Sequence, residues 1–258
     1  MAVAQFAREY QTVRRAEGWG SLDGAYYRAL PYKDLSGRHA EIWRVRARSF
    51  DTFLRAVVEP LEAVRTRLRV LDLGAGTGWL AYRLARRGHA AVAVDILDDG
   101  LDGLGARRHY AGLIAPLLAE FDRLPVDAGK VDLIVFNASL HYSTDYATTL
   151  REALRALRPG GTLVILDTPM YVDPTSGARM VQEREARFLQ TYGFASNALP
   201  SEHFLTRQRL DQLARDLNIA WQVHQPRWPL TSAVRRAVNG LRARREPAHF
   251  PVIVGRSR

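Results

Sequence analysis

Between Val70 and Gly78 the chain reads Val-Leu-Asp-Leu-Gly-Ala-Gly-Thr-Gly, and an apolar periodicity resumes at Trp79. A short apolar run that stops at glycines reads as a buried strand, and the periodic segment behind it as a helix. Glycine at such a turn lets the backbone take left-handed conformations and come close to a ligand. A second apolar strand, Ala91-Val92-Ala93-Val94, ends in Asp95. That is the spacing at which nucleotide-binding α/β folds place an acid, where it accepts from both hydroxyls of a ribose. Strand, glycine turn, helix and acid-tipped strand make half of a nucleoside-binding fold.

The spacing of the glycines narrows the nucleoside. A dinucleotide turn reads G-x-G-x-x-G and offers its helix N-terminus to a pyrophosphate. Here the pattern is G-x-G-x-G, and Trp79 stands where the third glycine of that fingerprint would fall. Asp72 also puts a carboxylate beside the turn, which repels a pyrophosphate and attracts a cation. S-adenosylmethionine carries a ribose, an adenine, a sulfonium and an ammonium, and no phosphate. The turn fits that cofactor better than a nicotinamide dinucleotide.

Further motifs follow in order: Leu124-Pro125, then the apolar run Val131–Asn137, then Leu157-Arg158-Pro159-Gly160-Gly161-Thr162-Leu163. From about Arg69 to Asp167 the sequence resembles the class I S-adenosylmethionine-dependent methyltransferases, in particular the small-molecule group that includes the ubiquinone/menaquinone-biosynthesis enzymes. Strands near 69–73, 91–95, 116–120, 131–136 and 162–167 alternate with helices near 78–87, 99–109 and 145–157, which predicts a parallel sheet covered on both faces. A helix around 179–191, another near 206–217 and strands at 219–224 and 249–254 complete the reading. The fold class is therefore α/β. The resemblance implies a Rossmann-like, seven-stranded, mostly parallel sheet with one antiparallel edge strand, helices on both faces and an N-terminal helical cap. Residues 1–66 form the cap, within which Ser36 is expected to start a helix running towards Pro60, with Ile42, Val45, Phe53, Val57 and Val58 on one face. Residues 67–258 form the cofactor-binding domain, with a substrate-side insertion at 168–205 and a basic insertion at 226–248.

Ligands of open α/β sheets lie beyond the carboxyl ends of the strands. That rule collects the candidate cofactor residues Asp72, Gly74, Ala75, Gly76, Gly78, Asp95, Ile96, Glu120, Phe121, Asp122, Asn137 and Ala138. Asp95 takes the ribose and Ile96 packs on the adenine. The acceptor for the adenine amino group is either Glu120 or Asp122, with Glu120 ahead by register with the family. Tyr32, Arg44 and Arg48 of the cap are candidates for the carboxylate of the cofactor, since a guanidinium fork matches a carboxylate. Methyl transfer from a sulfonium needs alignment more than a strong catalytic signature. His141, in Asn137-Ala138-Ser139-Leu140-His141-Tyr142 after the fourth strand, is the candidate base because an imidazole titrates near neutrality. That stretch is not the Asn/Asp-Pro-Pro-aromatic motif that holds an exocyclic amine, so N6-adenine methylation is disfavoured. Tyr26, Tyr27, Tyr32, His39, Tyr171 and His203 fall in segments expected to roof the site. The spacing of His, Asp and Glu outlines no metal site.

Composition bounds the alternatives. A chain of 258 residues, 47% hydrophobic and 25% charged, buries one good core. No apolar run approaches a membrane span, no secretory signal opens the chain, and the absence of cysteine fits a cytoplasmic protein. The net charge of +10 is nearly all arginine and is concentrated at 226–258. The leading expectation is methyl transfer to a small-molecule acceptor. The arginine-rich end motivates the alternative of an RNA, protein or anionic-lipid acceptor, but it lacks the interleaved aromatics of a base-stacking surface. A non-catalytic cofactor-binding module is the remaining alternative.

Overall fold

A computed structural model of the chain describes residues 2–227 and 245–257. The N-terminal part is helical: α1 (Ala2–Ala16), α2 (Gly24–Ala29) and α3 (Ala40–Phe53), which runs through a π-helical turn at Leu54–Val58 into α4 (Glu59–Glu62). Then come β1 (Arg69–Leu73), α5 (Trp79–Ala85), β2 (Ala90–Asp95), β3 (Ala115–Leu118), β4 (Val131–Asn137), α6 (Tyr146–Ala156) and β5 (Leu157–Leu166). After β5 the chain forms β6 (Met170–Tyr171), α7 (Pro174–Tyr192), β7 (Leu205–Thr206), α8 (Arg207–Asp216), β8 (Ile219–His224) and β9 (Val252–Ser257). Of the basic insertion expected at 226–248, residues 228–244 lie outside the described residues.

The main sheet has seven strands in the order β3-β2-β1-β4-β5-β9-β8. β1 to β5 pair in parallel, whereas β9 runs antiparallel to both β5 and β8. The strand order reverses between β1 and β4, and their carboxyl ends open the crevice where such sheets bind ligands. β4 is buried at every position, as a central strand covered on both faces must be. Val70 and Leu133 turn towards the cap and α5, while Leu71, Leu73, Ile134 and Phe136 turn towards α6 and α8.

Local chemistry sets most boundaries. Asp23, Asp145, Asp173 and Thr206 cap α2, α6, α7 and α8 by accepting from backbone N–H groups two or three residues on. Ser36 does not start α3. It lies in a turn held by Asp34, whose carboxylate accepts from the N–H groups of Ser36 and His39, and the helix begins at Ala40. Ile42 consequently faces solvent at 43% exposure, and Trp43 and Phe50 turn inward. The helix expected near 99–109 is a 3-10 segment confined to Leu104–Tyr110. A Cβ at Gly103 or Gly105 would lie within 2.8 Å of the Asp99 backbone, so the chain folds too tightly there for a longer helix.

Trp79 explains the missing third glycine. It is 3% exposed and meets Trp43 and Phe50 edge-on, at centroid distances of 5.9 and 5.4 Å. A dinucleotide fold needs a glycine at that position to bring helix and strand together. This chain uses an indole there to anchor α3 on α5.

Candidate active site

All three glycines of the turn take left-handed backbone, with φ of +69° at Gly74, +54° at Gly76 and +74° at Gly78. Gly74 and Ala75 donate to the Val94 carbonyl at 2.8 and 2.9 Å, which ties the turn to the end of β2. A Cβ on Gly74 would stand 2.3 Å from Cβ of Ser139, whereas one on Gly76 would meet nothing within 4 Å. Gly74 is therefore a packing requirement, and Gly76 is the open edge of a cradle.

That edge borders a cavity of about 350 Å³, within the range of small-ligand clefts. Gly74, Gly76, Asp95, Ile96, Glu120, Phe121, Asp122 and Ala138 all line it, so the structure brings eight of the sequence-predicted positions to one wall. Asp95 accepts from the N–H groups of Gly76 at 2.7 Å and Leu97 at 2.9 Å, one on each oxygen. An ionised carboxylate has about four acceptor sites, so two stay free for a diol. Burial raises the Asp95 carboxyl above its ordinary pKa, and the N–H groups of Gly76, Leu97 and Ile96 offset part of that rise. Glu120 and Asp122 both reach the lining, so either can serve the adenine edge.

The other predicted positions lie elsewhere. Asp72 is fully buried beneath the turn, where one oxygen accepts from Ala81 N–H at 3.2 Å at the start of α5. Its other oxygen has no partner among the described residues, and burial pushes its pKa up to about 7. Asp72 thus supports the turn from below and supplies no firm negative charge at the ligand surface, which corrects the electrostatic role assigned to it from sequence. Ala75, Gly78 and Asn137 also stand outside the lining; Gly78 faces Ile114 and Ala93 in the core. Tyr32, Arg44 and Arg48 do not line the cavity either. Tyr32 is 53% exposed and donates to Asp51 at 3.0 Å, and Arg44 pairs with Glu41 on the solvent face of α3. Tyr26, Tyr27 and Tyr171 are core residues, and His39 stacks on Trp19 at 3.6 Å.

The roof comes from α1, which the sequence reading passed over. Ala2, Val3, Phe6 and Tyr10 face the cavity from successive turns. The signal was present in Phe6, Tyr10 and Val13, spaced along one helical face. Arg14 forms a two-pronged ion pair with Asp102, itself part of the lining, and Arg15 pairs with Asp99 at 2.9 Å. These pairs fasten α1 to the loop after β2. Tyr142 closes the cluster, with ring centroids 5.4 Å from Phe6 and 5.9 Å from Tyr10.

His141 lines neither this cavity nor its neighbour. Burial, reinforced by Arg184, His203 and Arg46, pushes its pKa down to about 3. An imidazole held that far below neutrality is a weak proton acceptor, so the structure does not support the base role expected for it.

The cavity chemistry fits a cationic nucleoside. Its charged lining among the described residues consists of Asp95, Asp102, Glu120 and Asp122, with no arginine or lysine. Asp102 is neutralised by Arg14, and the remaining three carboxyl groups disfavour a pyrophosphate and favour a sulfonium and an ammonium. Gly76 leaves space where a Cβ would intrude, and Asp95 keeps acceptor sites for a ribose.

The strand order and the glycine turn with its acid-tipped neighbour define a Rossmann-like fold of the methyltransferase class. Residues 71–165 match the family described as "Methyltransferase domain". Over that stretch the chain is similar to S-adenosylmethionine-dependent methyltransferases, among them enzymes of ubiquinone/menaquinone biosynthesis. It is 42% identical over 95 residues to an uncharacterized methyltransferase of Mycobacterium tuberculosis, covering 37% of each chain. To a demethylmenaquinone methyltransferase of Mycolicibacterium gilvum it is 32% identical over 127 residues, covering 49% of this chain and 52% of the other. It thus spans between about a third and a half of the length of these curated relatives. Among solved structures, the 1,6-didemethyltoxoflavin-N1-methyltransferase of Burkholderia thailandensis shares the fold with a TM-score of 0.53 at 19% identity, over 97% of this chain and 90% of that one. No helix among the described residues is long and apolar enough to cross a membrane.

Proposed function

We propose that this chain transfers a methyl group from S-adenosylmethionine to a small-molecule acceptor. The observation that carries the reading is the cavity bounded by Gly74, Gly76 and Asp95, whose charged lining is wholly acidic among the described residues. Bound there, S-adenosylmethionine supplies a methyl group already activated by its sulfonium. Asp95 would hold the ribose, Ile96 and Phe121 would flank the adenine, and Glu120 or Asp122 would accept from its amino group. The remaining work of the protein is alignment and exclusion of water, which α1, Tyr142 and Pro200 provide by roofing the cavity. The second cavity under the same roof is only about 130 Å³, which supports a small acceptor over a polymer. The name of the M. gilvum relative, a demethylmenaquinone methyltransferase, points to the same class of acceptor.

Isothermal titration of the full chain with S-adenosylmethionine, S-adenosylhomocysteine and NAD tests the donor. The expected result is binding of the first two and none of NAD; binding of NAD alone refutes the reading. D95A removes the ribose acceptor and leaves the Gly76 and Leu97 N–H groups without partners, so its affinity for S-adenosylhomocysteine should fall at least ten-fold. Unchanged affinity removes Asp95 from the site.

A further inference from the structure

Beside the donor cavity lies the smaller one of about 130 Å³. Phe6, Tyr10, Tyr142 and Leu199 line both, so the two cavities adjoin along these side chains. A cavity of about 150 Å³ is known to hold one benzene ring, so this space suits a single ring. Its polar lining differs from that of the donor cavity in sign: Arg14, Arg184 and His203 face it, against Glu17.

The charges there are not balanced. Arg14 is committed to Asp102. Glu17 is occupied as well, accepting from Trp19 Nε1 at 2.8 Å and from the Tyr192 hydroxyl at 3.3 Å. Among the described residues Arg184 forms no ion pair, and its buried Nε has no hydrogen-bond partner. Its Nη2 lies 3.2 Å from Nδ1 of His203. Burial and the adjacent Arg184 push His203 down to about 4, so at neutral pH its ring accepts from the guanidinium and does not compete with it for an anion. His203 itself is fixed by a left-handed backbone, φ +65°, and by a bond from its N–H to the His141 carbonyl. A half-buried guanidinium with an idle N–H and no directly paired carboxylate among the described residues is costly to keep, and an arriving carboxylate relieves that cost by a charge-assisted bond.

Resting on the methyl-transfer reading, we infer that this second cavity is the acceptor chamber and selects a compact, single-ring carboxylate, whose anionic group is held by Arg184. Phe6, Tyr10 and Tyr142 supply the faces for the ring. His203 is a positioning residue that orients the guanidinium, and the carboxylate is a handle, separate from the atom that receives the methyl group.

The test uses the full chain saturated with S-adenosylhomocysteine, titrated calorimetrically with benzoate, benzamide and benzylamine. Benzoate should bind at least ten-fold more tightly than its neutral isostere benzamide, and benzylamine should be rejected. In R184Q the preference for benzoate should fall below two-fold, with affinity for S-adenosylhomocysteine unchanged; R184K should keep part of the preference, and H203N should lose part of it. Equal binding of benzoate and benzamide by the unsubstituted chain overturns the inference, and that comparison needs no variant to fold. A preference that survives in R184Q overturns it equally. Failure of S-adenosylhomocysteine to bind would remove the methyl-transfer reading instead, and the benzoate preference would then be measured on the unliganded chain and judged by the same criterion.

Discussion

Asp72 offers a direct test of how the turn is built. Its carboxyl is fully buried, with one oxygen on Ala81 N–H and the other without a partner among the described residues, and burial raises its pKa from an ordinary 3.8 to about 7. Between those values the folded chain keeps a proton that the unfolded chain releases. The contribution of Asp72 to stability is therefore greatest below pH 4 and falls as the pH rises to 7, the reverse of a paired carboxylate. At about 1.4 kcal/mol for each tenfold change in proton activity, the interval corresponds to about 4 kcal/mol, a large share of the roughly 5–15 kcal/mol that holds a domain together. D72N keeps an oxygen for Ala81 and cannot ionise. Urea unfolding of both proteins from pH 4.5 to 8.5 isolates the contribution, because the other titrating groups are common to both. The stability of the unsubstituted chain relative to D72N should decline by several kcal/mol across the range. A difference constant to within about 0.5 kcal/mol would show that Asp72 ionises freely, and the account of the turn would fail.

The glycines and His141 carry the other predictions. G74A places a Cβ 2.3 Å from Ser139 at a φ of +69°, so it should cost about 3 kcal/mol from left-handed strain and overpacking, seen as a fall in Tm. G76A meets no atom within 4 Å, so it should cost only about 1 kcal/mol yet weaken S-adenosylhomocysteine binding, because its methyl enters the cradle. For H141A, the pH profile of methyl transfer should keep its shape between pH 5 and 8; loss of a limb near pH 6.5 would restore the histidine as a base.

Residues whose role follows from neighbours in sequence were legible. Gly74, Gly76 and Asp95 belong to one strand–turn–helix–strand unit, and their spacing determines what they face. Glu120, Phe121 and Ala138 follow from the rule that strand ends open the crevice. Residues whose role depends on how the cap docks were not. Arg48 sits on a helix whose rotation is set by Trp43 and Phe50 against Trp79, a long-range contact that periodicity does not reveal, and Tyr32 lies in the turn before that helix. Arg184 and His203 meet across α7 and the loop that follows it, so no local pattern announced them. Asp72 misled because a carboxylate beside a glycine turn looks exposed in sequence, whereas the side chain turns under the strand end to reach Ala81.

The helix α1 mechanically links the two cavities. Phe6 and Tyr10 each face both cavities, so the same two rings form part of both walls. Fastened by Arg14 and Arg15 to the loop after β2, α1 cannot lift from one cavity and stay seated on the other. Moving the helix away from one cavity therefore moves it away from the other. The outer tether, with Arg15 66% exposed, weakens in salt, and the inner one, with both partners at 15% or less, weakens much less.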